Sequence, residues 1–119
     1  MEPVKIHLNF HHDDRGNLVV LDAETVPFVI KRVFFVYGIP VTAMRAGHAH
    51  KECHQVLVCV SGCCRVLANK QEFWLSGPER ALYVPPGNHI ALDGWCEQTV
   101  LLVLCSHPYD EEDYVRQVQ

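Results

Sequence analysis

Short apolar runs separated by turn residues dominate the chain. KIHLNF, NLVVLD, FVIKRVFFVY, CHQVLVCVSG, CRVLA, EFWLS, ALYV, HIALD and QTVLLVLC are each bounded by Gly, Pro, Asn or Asp, and no long helical period competes with them. Turn chemistry falls between the runs, at Arg15-Gly16-Asn17, Ser61-Gly62, Asn69-Lys70, Ser76-Gly77-Pro78 and Asp93-Gly94. Regularly spaced short strands of this kind predict an all-β sandwich or barrel. In FVIKRVFFVY, Phe28, Ile30, Arg32, Phe34 and Val36 share one face, and Val29, Lys31, Val33, Phe35 and Tyr37 share the other. A strand apolar on both faces is expected to be covered on both, either between two sheets or in a dimer interface. The last segment, PYDEEDYVRQVQ, turns acidic and reads as a short helix or an extended tail.

A length of 119 residues predicts one domain, spanning 1–119, with room for a real core. The net charge of -4 supplies no cationic surface for nucleic acid or anionic lipid, so neither is an expected partner. The longest apolar stretches, such as TVLLVLC, are far shorter than a membrane span, and the N-terminus has no basic segment followed by an apolar run. A cytoplasmic protein is expected. Of the six cysteines, Cys59, Cys63 and Cys105 lie in or beside valine- and leucine-rich runs, which predicts reduced thiols acting as small core residues. No CxxC pair occurs, so a structural zinc site is not expected.

Candidate chemistry centres on His48-Ala49-His50. On an extended segment, histidines at i and i+2 point to one face, about 7 Å apart, and reach one small ligand. Arg45 and Lys51 flank the pair, preparing the site for an anionic or electron-rich ligand, and Gly47 allows close backbone approach. A metal set would be completed by a carboxylate a few residues on and a later histidine. The later histidine exists, as His89, but the carboxylate position holds Gln55, whose neutral amide is a poor ligand for a divalent cation. The pair is therefore read as acid and base rather than as metal ligands. The remaining histidines, His7, His11, His12 and His107, fit surface positions, while His54 is a minor candidate for the same face as His48 and His50.

RGNLVVLDAETVPFVIKRVFFVYGIP, RAGHAHKECHQVLVCVSGCCRV, ALYVPPGNH and YDEEDYVRQ together resemble the sugar-nucleotide 3,4-ketoisomerases of the cupin superfamily. The resemblance spans nearly the whole chain, and RGxL, IKRVFF, HAHKxxxQ and DYVR are its most specific parts. It implies a cupin-type β-barrel, or jelly roll, in a homodimer with exchanged N-terminal strands. It also implies conversion of dTDP-4-keto-6-deoxyglucose to the 3-keto isomer through an enediol, in deoxyamino-sugar biosynthesis, with neither metal nor cofactor. By that resemblance His48 and His50 are the catalytic pair, one moving the proton between C3 and C4 and the other serving O3 and O4. Which does which is left open, as is a gluco or galacto product. Arg15 matches a diphosphate contact, Arg45 and Arg116 anion or active-site contacts, and Gln55 a pocket hydrogen bond, while Tyr83 and His89 complete the candidate substrate residues. Phe34, Phe35, Trp74 and Tyr83 are candidates for a pocket wall or thymine platform. The chain departs from the family pattern at Phe34 and Phe35, where tyrosine is common, at RAG before His48, and at IALDGW after His89. Two other functions fit the same residues. One is a metal-dependent cupin using His48, His50 and His89 with His54 or Gln55, and the other is a binding module without turnover.

Overall fold

Alternating side chains along the apolar runs give each strand one face for the core, and antiparallel pairing closes these faces on one another. The computed structural model describes residues 1–116, apart from the side chains of Ala46 and Arg116. Its strands are β1 (Val4–His7), β2 (Asn9–Asp13), β3 (Gly16–Val20), β4 (Arg32–Val36), β5 (Arg45–His50), β6 (Gln55–Ser61), β7 (Cys63–Ala68), β8 (Gln71–Ser76), β9 (Arg80–Val84), β10 (Ile90–Asp93), β11 (Val100–Cys105) and β12 (Tyr114–Arg116). A 3₁₀ turn at Glu111–Asp113 precedes the last strand. One five-stranded sheet has the order β1-β9-β6-β11-β4, a second has β12-β5-β10-β7-β8, and β2-β3 forms a separate hairpin. This is the all-β barrel that the alternation predicts, and no helix among the described residues is long and apolar enough to cross a membrane.

The main core lies between the sheets. Leu57, Leu82, Leu101 and Val103 from the first sheet meet Val66, Leu75, Ile90 and Leu92 from the second. Each fully buried leucine there contributes about 1.5–3 kcal/mol. A second core covers the outer face of the first sheet, where Val56, Val58, Ala81, Tyr83 and Leu104 pack under Leu8, Val26, Phe28 and Ile30. Consequently β6 and β9 are buried on both faces, Gln55 to Cys59 and Ala81 to Val84 being buried without interruption.

FVIKRVFFVY departs from its expected role. Only Arg32–Val36 is strand, while Phe28 and Ile30 act as part of the cover over the second core. β4 is the edge of its sheet, paired only with β11, and Val33, Phe35 and Tyr37 are exposed. The C-terminal segment resolves into both alternatives at once, a 3₁₀ turn followed by an extended strand that pairs with β5. Its Asp110 side chain accepts the Glu112 N–H, which caps the turn.

One cysteine expectation is corrected. Cys63 and Cys96 form a disulfide, with Cα atoms 5.7 Å apart. Strand alternation sends Cys64 into the core and leaves Cys63 facing the 94–99 loop, where the Thr99 hydroxyl donates to the Cys63 carbonyl and accepts the Cys96 N–H. The other four cysteines are free and buried, as expected of small core residues.

Candidate active site

A cavity of about 230 Å³ opens between the sheets, lined by Phe34, Val36, Arg45, His48, Gln55, Leu57, Ile90, Leu92, Leu101, Val103 and Tyr114. Its walls are mainly aliphatic, and its polar groups come from β5, β6 and β12. Arg45 and His48 are an odd number of residues apart, so an unbroken strand would send them to opposite faces. A bulge resolves this. Ile90 pairs with His48 and Ala91 with Ala46, which leaves Gly47 as the extra residue, at φ +95°. Gly47 thus brings the cation and the imidazole into one cavity, a role beyond the close approach expected of it.

His50 lies beside His48, the ring centroids 5.2 Å apart and edge to face. It is buried, and its Nδ1 is 2.8 Å from the Asp113 carboxylate. That carboxylate also accepts the backbone N–H groups of Glu52 at 2.7 Å and Cys53 at 3.3 Å. Burial pushes the Asp113 carboxyl upward, but the bond from His50 and the two N–H groups outweigh it and hold it below its ordinary value of 3.8. An ionised Asp113 accepts a hydrogen bond from Nδ1–H, which leaves the lone pair of His50 on Nε2. Nε2 is buried with no hydrogen-bond partner among the described residues. A residue poised in this way is a base held in one tautomer.

Sequence reasoning missed Asp113 because it lies 63 residues from His50. The only local hint was the acidic stretch before Tyr114. His50, Cys53 and Asp113 offer ligand atoms within 4.8 Å of one another and are the described residues best placed to hold a cation. The Asp113 oxygens are already committed to His50 and two backbone donors, so a cation there would have to displace them.

The other candidate residues divide clearly. Gln55 lines the cavity, its amide reaching the Cys105 sulfur at 3.8 Å. His89 does not line it. It precedes β10, its backbone N–H is tied to the Asn69 side chain at 2.8 Å, and its Nε2 is buried with no hydrogen-bond partner among the described residues. Tyr83 is also outside, in the second core, where burial pushes its phenol up and its hydroxyl bonds His54 Nδ1 at 2.7 Å. His54 stacks on Tyr83 instead of joining His48 and His50, because the strand carrying the pair ends at His50. Arg15 sits in the turn of the β2-β3 hairpin, its side chain 90% exposed and paired to Asp13, and it does not line the cavity. Arg116 pairs through its backbone with His48, and its side chain lies outside the described part of the structure. Of the aromatic candidates only Phe34 reaches the cavity; Phe35 and Trp74 are exposed elsewhere.

The profile of the family described as "FdtA: WxcM-like, C-terminal" matches residues 1–119. A curated relative, the TDP-4-oxo-6-deoxy-alpha-D-glucose-3,4-oxoisomerase of Aneurinibacillus thermoaerophilus, is 40% identical over 110 residues, covering 88% of this chain and 79% of its own. The chain belongs to the sugar-nucleotide 3,4-ketoisomerases of the cupin superfamily. Among solved ketoisomerase structures, one from Helicobacter canadensis superposes with a TM-score of 0.94 at 30% identity, covering 98% of this chain and 92% of the other. QdtA from Thermoanaerobacterium thermosaccharolyticum, solved with TDP, superposes with a TM-score of 0.93 at 32% identity, covering 97% and 88%. The ketoisomerase fold and an isomerase chemistry are thus shared; in this chain His48 lines the cavity, and His50 is buried beside it outside the lining.

Proposed function

We propose that this ketoisomerase converts dTDP-4-keto-6-deoxyglucose into its 3-keto isomer. The observation that carries the reading is an imidazole lining a small, mostly apolar cavity beside a second imidazole fixed by a carboxylate. The 4-ketone acidifies the C3 proton, and removing it gives an enediol. His48, which lines the cavity, takes the proton from C3 and returns it at C4. His50, held by Asp113, moves the hydroxyl proton from O3 to O4. Each proton leaving one atom of the sugar arrives at its neighbour, so no external oxidant or reductant enters. Leu57, Leu92, Leu101 and Val103 keep water from the enediol.

The cavity is smaller than the ~300–1,000 Å³ usual for larger ligands, which suits the sugar ring and leaves the nucleotide outside. Arg45 at the lining is placed for the sugar or the nearer phosphate, and Gln55 for a sugar oxygen. A homodimer supplies the rest of the site. The hairpin Asn9–Val20 is exposed along most of its length, including Phe10 and Leu18, and an isolated two-stranded hairpin is marginal in water. Exchange of the N-terminal strands would bury it and deliver Arg15 to the diphosphate at the partner's cavity. The reading places the protein in the cytoplasm, with the enzymes of deoxyamino-sugar synthesis.

Incubation with dTDP-4-keto-6-deoxyglucose in D₂O, followed by NMR, tests the activity. The wild type should exchange the C3 proton and form the 3-keto sugar, and H48A and H50A should each lose about 10²–10⁴-fold in turnover. No exchange by the wild type, or near-normal turnover in both variants, overturns the reading.

A further inference from the structure

Tyr114 has so far figured only as a member of the cavity wall, yet its position is unusual for a wall residue. It opens β12 opposite His50, and its ring packs on both imidazoles, with centroids 4.4 Å from His48 and 4.5 Å from His50. Behind it stands Arg32 of β4. That guanidinium donates to the Cys105 sulfur at 3.4 Å, lies over the ring of Phe34 at 5.5 Å, and is near enough to the Tyr114 hydroxyl to act on it electrostatically. Burial disfavours the charge on Arg32, but its interactions with Cys105 and Tyr114 outweigh it, so the group remains a cation beside Tyr114. A guanidinium only donates, so the phenol turns its oxygen to Arg32 and its proton is left for another partner.

The reaction proposed above creates a need for such a donor. As the C3 proton leaves, negative charge develops on O4, inside apolar walls where it is poorly solvated. Both imidazoles are meanwhile engaged in moving protons. A fixed donor backed by a cation stabilises that charge without reorganising during the step.

We propose that Tyr114 is a third catalytic residue, donating a hydrogen bond to the sugar oxygen that becomes negative, and that Arg32 is the positioning residue that holds its hydroxyl. The inference rests on the ketoisomerase reading. No proton is transferred from the phenol, so the proton balance between C3, C4, O3 and O4 is unchanged.

Kinetics of the full chain with dTDP-4-keto-6-deoxyglucose test it. Y114F should lower kcat about 10²–10³-fold with KM and TDP affinity changed less than about twofold. R32M should lower kcat similarly, R32K should recover part of the loss, and the double variant R32M/Y114F should be no slower than Y114F, because Arg32 acts through the hydroxyl. Wild-type kcat in Y114F overturns the proposal, as does a double variant whose loss is the product of the two single losses. If Y114F does not fold, R32M and R32K carry the test, and an unchanged kcat in R32M overturns it. A wild type that does not isomerise the sugar is a separate result, which removes the functional reading itself.

Discussion

Asp113 is the residue on which the state of His50 depends. Its carboxylate holds the Nδ1 proton and, through the N–H groups of Glu52 and Cys53, ties the segment after β5 to the C-terminal segment. Replacement by asparagine removes the charge that stabilises an imidazolium while preserving much of the shape. D113N is expected to lower turnover about 10- to 100-fold, measured by the same NMR assay. The lowered pKa of Asp113 also has a stability consequence with a definite sign. Above the ordinary value of 3.8 the native state holds the full benefit of the ionised group, and that benefit is lost as the pH falls through the lower, folded-state value. Thermal unfolding from pH 7 to pH 3 should therefore show a larger fall in Tm for the wild type than for D113N below about pH 4. Equal slopes would show that the carboxylate does not couple to folding in this range.

The element that shapes the site is β5, a strand whose regular alternation is broken once. Without the bulge at Gly47, Arg45 and His48 would not share a cavity. A Cβ at position 47 meets nothing within 4 Å, so the cost of a side chain there comes from the backbone at φ +95° and not from a clash. G47A should lose about 1–2 kcal/mol of stability, measured by urea unfolding. It should also raise KM for the sugar nucleotide more than it lowers thermal stability would explain, because Arg45 moves relative to His48. A KM equal to that of the wild type would show that the bulge serves folding alone. The start of β10 also accounts for His89, which the PPGNH motif offers as a site residue but which lies just before the strand. One residue of register gives the cavity Ile90 instead, an aliphatic wall where the sequence suggests a polar contact. The alternation was readable, but where β10 begins depended on its pairing with β5 and β7, which starts at Ile90.

At the scale of the whole molecule, two features are unfinished in one chain. β4 exposes Val33 and Phe35 at a sheet edge with Tyr37 just beyond it, and the β2-β3 hairpin exposes Phe10 and Leu18 beside Arg15. Unpaired edges with apolar faces are protected in most proteins, and a second copy of the chain is the cover proposed here. Analytical ultracentrifugation should find the wild type dimeric and F35D shifted toward monomer. R15A should remain dimeric while its affinity for TDP falls about tenfold or more, as expected for one charged contact to a diphosphate. A monomeric wild type, or full TDP affinity in R15A, would remove the exchanged-hairpin arrangement.

Local alternation and turn residues were enough to read the barrel and most of its strands, because a period of two is written in consecutive residues and needs no knowledge of partners. The histidine pair, Arg45 and Gln55 were legible for a similar reason, as neighbours on one stretch of chain. Folding in three dimensions settled the rest: Asp113 against His50, Tyr114 against both imidazoles, Phe28 and Ile30 as a cover instead of a strand, and Cys63 joined to Cys96. Each of these depends on which distant segments pair and in what register, and such contacts leave no period in the sequence that carries them.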